Sequence, residues 1–491
     1  MIGLGTMGRN FLLNIAEHGI SSVGFDLDAG KRELLLKEGA GMPVDIGSDM
    51  ADFIAKLETP RNIMMLVPAG PIVDSVIADL LPHLEKDDLI IDGGNSHFTD
   101  TDRREADLAV KGVGFMGVGV SGGEKGARHG ASIMPGGRRD FYDRVEATLQ
   151  AVSAKVNGEP CVAYMGAGSA GHFVKMVHNG IEYGLMQIIS ETYDYMKRVL
   201  GMDDTAMSQT FAEWNDSELN SFLVEITSTV LRKKDADTGN PLVEMILDTA
   251  GQKGTGKWTS QAAMDFGVPI PTIDSAVSMR QISGQKATRG TIAAKFQSSP
   301  PYEGGVAAVS ADGVVLSSTG AIDSGSLSNS KSKISNNELL EDLKSALLCA
   351  FVITYAQGLA LLQQASTDKS YGLNLSDIAK IWRGGCIIRS ALLEEMRVAY
   401  SADASLANLL LDSKFVNVLS QHADSLRKTV SIFVSQGIPA MCFSSVLAYF
   451  DAFRTERLPA NLIQAQRDFF GAHTYQRTDK EGTFHTPDWD A

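Results

Sequence analysis

Gly3-Leu4-Gly5-Thr6-Met7-Gly8 sets three glycines at G-x-G-x-x-G spacing, and residues 10–15 follow with apolar side chains at helical period. Glycines so spaced permit a tight turn and let a pyrophosphate approach the backbone at a helix N-terminus. Val23-Gly24-Phe25-Asp26 then reads as a second strand ending in a carboxylate, 18 residues after Gly8. That is near the distance at which an acidic side chain meets the adenosine ribose in dinucleotide-binding folds. Strand, glycine loop, helix, strand and acid in this order predict an α/β unit that binds NAD or NADP. Only Met1 and Ile2 precede the first glycine, whereas the first strand of such a unit is central and several residues long. The loss of about three buried aliphatic side chains amounts to roughly 5–9 kcal/mol, against a total stability of about 5–15 kcal/mol. A start truncated by a few residues is therefore expected.

Working outward, short apolar runs alternate with helical patterns. Strands are expected at 63–67, 89–92 and 115–120, and helices at 71–84 and 103–111. The alternation predicts a mostly parallel, Rossmann-like sheet over 1–169. From 170 to 455 strand-like runs nearly vanish, and apolar positions recur at three and four residues through 187–200, 219–231, 339–364, 375–381 and 415–434. This predicts a large all-α domain. A Gly/Ser/Ala-rich stretch near 298–337 reads as a loop insertion, and 456–491 reads as an extended tail.

The 491 residues allow two to four domains, and the net charge of −15 argues against nucleic acid as a partner. An anionic ligand then needs a local basic cluster. Cysteines 161, 349, 386 and 442 form neither C-x-x-C nor metal-ligand spacing, so no metal site is expected and a reduced, cytoplasmic protein is. No signal peptide is visible, since Arg9 and Asn10 interrupt the first apolar stretch. Two uncharged stretches, 345–367 and 430–450, are long enough to cross a membrane. The first carries Tyr355, Gln357, Gly358, Gln363 and Gln364, and the second is broken by Gln436-Gly437-Ile438-Pro439. Both read as buried helices, with no membrane partner.

Several stretches carry candidate chemistry. On a helix, Lys175, His178, Asn179 and Glu182 fall on one stripe. The stripe is either a solvated face or a site, and Gly180 and Gly184, each costing roughly 1 kcal/mol against alanine, point to another backbone or a ligand passing close by. Lysine and glutamate on that stripe make an acid–base pair. Asp92-Gly93-Gly94-Asn95-Ser96 follows an apolar strand, where open α/β sheets place ligands. Residues 118–128, with Ser121, Gly122 and Gly123, are too glycine-rich for a regular element: a surface loop, or amides and a hydroxyl that hold a carboxylate. Gly251-Gln252-Lys253-Gly254-Thr255-Gly256-Lys257-Trp258 imitates a P-loop, but Trp258 cannot ligate Mg²⁺ and the preceding 242–248 reads as helix rather than strand. A kinase or ATPase is disfavoured, while Lys253 and Thr255 remain suited to a single phosphate.

Together these strings resemble the decarboxylating 6-phosphogluconate dehydrogenases: IDGGNS (91–96), GVGVSGGEKGARHG (117–130), GHFVKMVHNGIEYG (171–184), GQKGTGKWT (251–259), WRGGCIIRS (382–390) and RDFFGAHTY (467–475). The resemblance spans nearly the whole chain. It implies oxidative decarboxylation of 6-phospho-D-gluconate to D-ribulose 5-phosphate and CO₂ with reduction of NAD(P), in the pentose phosphate pathway. It implies Lys175 as general base and Glu182 as general acid. Asn95, Ser121, Gly122, Gly123, His178 and Asn179 match ligands of the sugar acid's carboxylate and hydroxyls, and Tyr183, Lys253, Thr255 and Arg280 match the phosphate pocket. Gly3, Gly5, Thr6, Met7, Gly8, Asp26, Val67 and Asn95 match the cofactor site. Arg467 and His473 match residues that reach the neighbouring subunit's site, which implies a homodimer with exchanged tails.

The chain also departs from the pattern. Asp26-Leu27-Asp28 stands where most members carry Asn-Arg-Thr, with the arginine on the 2′-phosphate of NADP. A carboxylate some 4 Å from that phosphate repels it by as much as ~4 kcal/mol at an effective dielectric of ~20. Asp26 and Leu27 are therefore expected to favour NAD over NADP, the family default, although Lys31 and Arg32 lie close downstream. Pro68 replaces a lysine common near the cofactor, and Leu185 replaces the usual aspartate. Two rival readings stand beside this one. A related β-hydroxyacid dehydrogenase would lack the set Lys253, Thr255 and Arg280 and the long tail. A non-catalytic NAD-binding regulator is disfavoured because both Lys175 and Glu182 are present.

Overall fold

The computed structural model describes residues 1–297 and 335–490. Its first part is built on β1 Ser22–Gly24, β2 Val44–Ile46, β3 Asn62–Met65, β4 Leu89–Asp92, β5 Gly114–Ser121 and β6 Ser132–Pro135. The pairs β1–β2, β3–β4 and β4–β5 are parallel, and β5–β6 is antiparallel. Ile2 joins the two parallel groups through bridges to Phe25 and Met65. Its N–H donates to the Met64 carbonyl at 2.8 Å, and its own carbonyl accepts from Leu66 N–H at 2.9 Å. The central first strand is thus a single bridging residue. Every residue of β4 and β5 is buried, as expected for parallel strands covered on both faces.

The expected strands and helices of this part are present, with shifted ends. The helix anticipated at 103–111 is Phe98–Ala109, starting earlier because the His97 side chain caps it by accepting the Thr99 N–H. Val44–Ile46 and Ser132–Pro135 were not expected, since three residues, or a run ending in proline, give no apolar alternation. The glycine-rich stretch after β5 is also more regular than expected: Gly123–His129 is helical, entered through Gly122 at φ +126°.

The second part is helical. The 29-residue helix Ala170–Arg198 and the 33-residue helix Asn336–Asp368 run through its centre, with Thr255–Asp265, Pro271–Gly284, Ser413–Ser435 and Met441–Phe453 packed around them. Phe173, Tyr195, Phe351 and Trp382 are fully buried there. The stretch 345–367 lies within Asn336–Asp368 and is almost wholly buried, while 430–450 is split between two helices at a turn. Asn336–Asp368 opens on a capping box made by Ser335 and Glu338. Most of the insertion expected at 298–337 lies outside the described residues.

Candidate active site

The glycine loop divides its labour. A Cβ on Gly3 would meet the Leu66 carbonyl oxygen at 2.6 Å, and one on Gly8 would meet the Gly3 oxygen at 1.9 Å. These two glycines let the chain turn and the helix Thr6–Glu17 pack. Gly5, the N-cap of that helix, faces open space. A helix N-terminus with backbone N–H groups open to solvent fits a pyrophosphate. Thr6 and Met7 begin the helix, and Val67 and Asn95 follow β3 and β4 at the strands' carboxyl ends. The sequence-predicted cofactor residues thus share the sheet's carboxyl edge, the place open α/β sheets offer to ligands.

The lysine helix crosses this edge because glycines let it. A Cβ on Gly119 in β5 would stand 2.4 Å from the Lys175 Cβ, and one on Gly117 would stand 2.7 Å from the His172 ring. From the other side, Gly180 and Gly184 admit Thr259 and Thr354, each with a side-chain carbon 2.6 Å from the missing Cβ. The close neighbours anticipated from these glycines are therefore packed helices. Lys175, His178 and Asn179 are buried and Glu182 is partly so. Lys175 Nζ donates to Asn179 Oδ1 at 2.9 Å, His178 Nδ1 lies 3.1 Å from that oxygen, and His178 Nε2 lies 3.3 Å from Ser121 Oγ. Burial lowers the Lys175 pKa, with the Glu182 charge opposing it, and burial raises that of Glu182. Burial, helped by the Lys175 charge, also holds His178 well below its ordinary value. The stripe is thus buried and hydrogen-bonded and not a solvated face, with a lysine biased toward its neutral amine and a glutamate biased toward its acid form.

Beyond Glu182 the predicted phosphate residues converge. The Arg280 guanidinium sits over the Tyr183 ring, 3.7 Å from its centroid, and its Nη1 donates to the Gly251 carbonyl at 3.0 Å. A Cβ on Gly256 would meet Tyr183 at 2.5 Å, so the glycine brings the buried Thr255 against the tyrosine. Gly254, at φ +93°, caps the helix that Thr255 begins. Lys253 is exposed beside it. Arg467 and His473 are not drawn into this cluster: Arg467 bonds Gln464, and the His473 ring meets Phe470.

Known proteins share this architecture along the whole chain. The NAD binding domain of 6-phosphogluconate dehydrogenase matches residues 1–166, and the 6-phosphogluconate dehydrogenase C-terminal domain matches 171–489. The NADP(+)-dependent, decarboxylating 6-phosphogluconate dehydrogenase of Bacillus subtilis is 49% identical, over 99% of this chain and 98% of that one. The decarboxylating mouse enzyme is 45% identical, over 100% of this chain and 96% of its own. The chain belongs to the 6-phosphogluconate dehydrogenase family. A Plasmodium falciparum 6-phosphogluconate dehydrogenase, solved in its apo form and in complex with its cofactor NADP+ and with its substrate 6-phosphogluconate, superposes with a TM-score of 0.90, 42% identity and 99% coverage of both chains.

These relatives of the 6-phosphogluconate dehydrogenase family overturn the expected preference for NAD. The Bacillus subtilis enzyme is NADP(+)-dependent and the Plasmodium falciparum enzyme has NADP+ as its cofactor. Asp26 is not the free repulsive carboxylate that the sequence suggested. It accepts the Leu4 N–H at 2.8 Å and the Asp28 N–H at 3.0 Å, and Lys31 Nζ lies 3.4 Å from both its oxygens. Arg32 bonds the carbonyls of Asp26 and Leu27, so two cations flank the strand end. Leu27 points into solvent and bars nothing.

Sequence reading missed the residues beneath the site. Arg104, almost fully buried, grips both oxygens of Asp74 at 2.9 Å, the Gly70 carbonyl at 3.0 Å and Ser96 Oγ at 3.4 Å, and lies 3.8 Å from buried Asp92. It therefore ties the loop after β3 to the loop that carries Asn95. Ser96 Oγ donates to Asp92 at 2.6 Å, while His172 links the Asp92 carbonyl to Thr101. Trp258, noted only as the P-loop mismatch, meets His97 edge-on with ring centroids 4.9 Å apart and closes the seam between the two parts. A buried arginine within a helix leaves no periodic signal, whereas the tryptophan inside a phosphate-like loop was a signal open to use.

Proposed function

We propose that this chain oxidatively decarboxylates 6-phospho-D-gluconate to D-ribulose 5-phosphate and CO₂, with NADP+ as the acceptor. The observation that carries the reading is the buried pair on one helix face, Lys175 with a burial-lowered pKa and Glu182 with a burial-raised one. NADP+, when bound, accepts the hydride from C3. Lys175, neutral and directed by Asn179, takes the proton of the 3-hydroxyl. Its ammonium then hydrogen-bonds the new 3-keto oxygen and stabilises the negative charge that gathers there as CO₂ leaves. Glu182 delivers the proton that C1 of the resulting enediol requires. Ser121, Gly122, Gly123, Asn95, His178 and Asn179 hold the carboxylate and hydroxyls, and Tyr183, Lys253, Thr255 and Arg280 hold the phosphate. Lys31 and Arg32 supply the positive charge for the 2′-phosphate.

The tail completes the site of a second copy. This is supported by Arg467 and His473 contacting Gln464 and Phe470 and not their own chain's cluster, and by the apolar side chains that the helix Ala460–Gly471 leaves bare: Leu462, Ile463, Phe469 and Phe470 are all more than half exposed. Exposed apolar patches of this kind mark interaction surfaces, here between two copies of the chain. Four buried, unpaired cysteines support a reducing, cytoplasmic setting.

The deciding experiment measures initial rates of NADP+ reduction with 6-phosphogluconate for the wild type and Lys175→Ala. Turnover is expected to fall by about 10²–10⁴-fold while the sugar acid still binds by calorimetry. Unchanged turnover rejects Lys175 as the base, and a wild type that is inactive on 6-phosphogluconate rejects the substrate.

A further inference from the structure

Residues 456–490 contain a single buried residue, and it is a carboxylate. The Asp468 side chain is fully buried while Arg467, Phe469 and Phe470 around it are exposed. An ionised carboxylate offers about four acceptor sites, and all are used. Oδ1 accepts from Thr474 N–H at 2.9 Å and His485 Nδ1 at 3.0 Å, and Oδ2 accepts from Thr486 N–H at 3.0 Å and Trp489 Nε1 at 3.1 Å. Donors from three separate points of the segment thus close on one side chain. The remaining contacts bury no side chain. Apart from this hub, residues 472–490 are held by the Ala472 N–H on the Asp468 carbonyl, one bridge between Tyr475 and Phe484, a Tyr475–Thr486 hydroxyl bond, the Gln464–Thr474 bond, the local Arg477–Asp479 pair, and half-exposed ring contacts of Tyr475 with Phe484 and Trp489, of His473 with Phe470 and of Arg477 over Phe484.

The position argues for more than a cap. Asp468 lies in the last turn of Ala460–Gly471, where the helix dipole disfavours negative charge. Immediately after that helix the chain adopts left-handed backbone at two non-glycine residues, Ala472 at φ +49° and Thr474 at φ +60°, a conformation that L-residues with a Cβ resist. These two residues flank His473. Asp468 holds Thr474 by its N–H, and Gln464 Nε2 holds it by its carbonyl. The ring of His473 in turn folds over Gly471, where a Cβ would meet it at 2.6 Å.

We propose that Asp468 is the positioning residue of the tail, folding residues 472–490 into a hook that presents His473 and Arg467 to the neighbouring subunit. The proposal rests on the reading above that the tail serves a second copy's site, and it assigns the tail's shape to one carboxylate in place of a hydrophobic core. Asp468→Asn keeps the volume but turns an amide toward two of the four donors. Trp489→Phe keeps an aromatic ring, though a smaller one, and removes one donor.

The test measures KM for 6-phosphogluconate and for NADP+ separately in these variants and in Arg467→Ala and His473→Ala, with circular dichroism to verify that the body stays folded. Asp468→Asn is expected to raise KM for the sugar acid about tenfold, the scale of a lost charged hydrogen bond, with KM for NADP+ unmoved and Trp489→Phe intermediate. Co-expression of Asp468→Asn with Lys175→Ala is expected to restore activity in hybrid dimers, because the intact tail then serves the intact site. Wild-type KM in Asp468→Asn, with KM raised in Arg467→Ala and His473→Ala, overturns the positioning role alone. Wild-type KM in Arg467→Ala and His473→Ala overturns the reading of the tail, and this proposal with it.

Discussion

Asn179 holds Lys175 with a neutral oxygen, and that choice sets which form of the lysine predominates. Asn179→Asp places a charge 2.9 Å from Nζ, favours the ammonium and raises the lysine pKa by roughly 1–3 units. The base is active when neutral, so the acidic limb of the kcat/KM–pH profile moves to higher pH by that amount. A limb that stays in place dissociates Lys175 from the proton transfer. At the other end of the site, Arg32→Ala removes a cation from the strand end while leaving Asp26 in its backbone bonds. KM for NADP+ is expected to rise about tenfold or more, with KM for NAD+ nearly unchanged. The alignment of lysine, histidine, asparagine and glutamate on one helix was legible because helical spacing brings them together whatever surrounds the helix. The effect of Asp26 was not, because it depends on where Lys31, Arg32 and two backbone N–H groups point, and spacing carries none of that.

At the scale of elements, β5 and the helix Ala170–Arg198 meet with no room for a side chain. Gly119→Ala drives a methyl to 2.4 Å from the Lys175 Cβ and is expected to cost about 1–3 kcal/mol, read from the denaturation midpoint, with kcat reduced as the lysine shifts. Arg104→Met leaves Asp92 buried without its cation and is expected to cost about 3–5 kcal/mol by the same measurement. The Arg104 fork holds the partly exposed Asp74 down at about 2. A depressed carboxylate stabilises the fold above its ordinary 3.8 and loses that contribution as pH falls toward about 2. The stability difference between wild type and Asp74→Asn is therefore full at neutral pH and closes across that window. Long periodic elements were legible from sequence, since burial of one face fixes their period. Val44–Ile46, Ser132–Pro135 and the start of Phe98–Ala109 were not, because pairing partners and an unusual histidine cap define them.

Over the whole molecule, the change from strand-alternating to helical sequence was legible near residue 170, because a parallel sheet and a helical core demand different apolar periods. The residues of the tail gave no more than an extension, and its reach toward a second subunit came from resemblance alone. Its order comes from a carboxylate and not from apolar spacing, so periodicity had nothing to report. Ile463→Asp with Phe470→Asp places charge on its bare face, and the proposed dimer predicts that this variant sediments as single chains where the wild type sediments as pairs, with activity lost alongside. The seam between the two parts has a mechanical consequence. Gly117, Gly119 and Gly136 on one side and Gly171 on the other bring main chain against main chain, with the missing Cβ of Gly171 only 2.3 Å from the Gly117 oxygen. Main chain packed with no space for even a methyl group resists opening along this seam. What can yield without breaking backbone packing is the rim, where the segment from Asp248 to Lys253 is exposed and anchored through Arg280, Ser283 and Arg289.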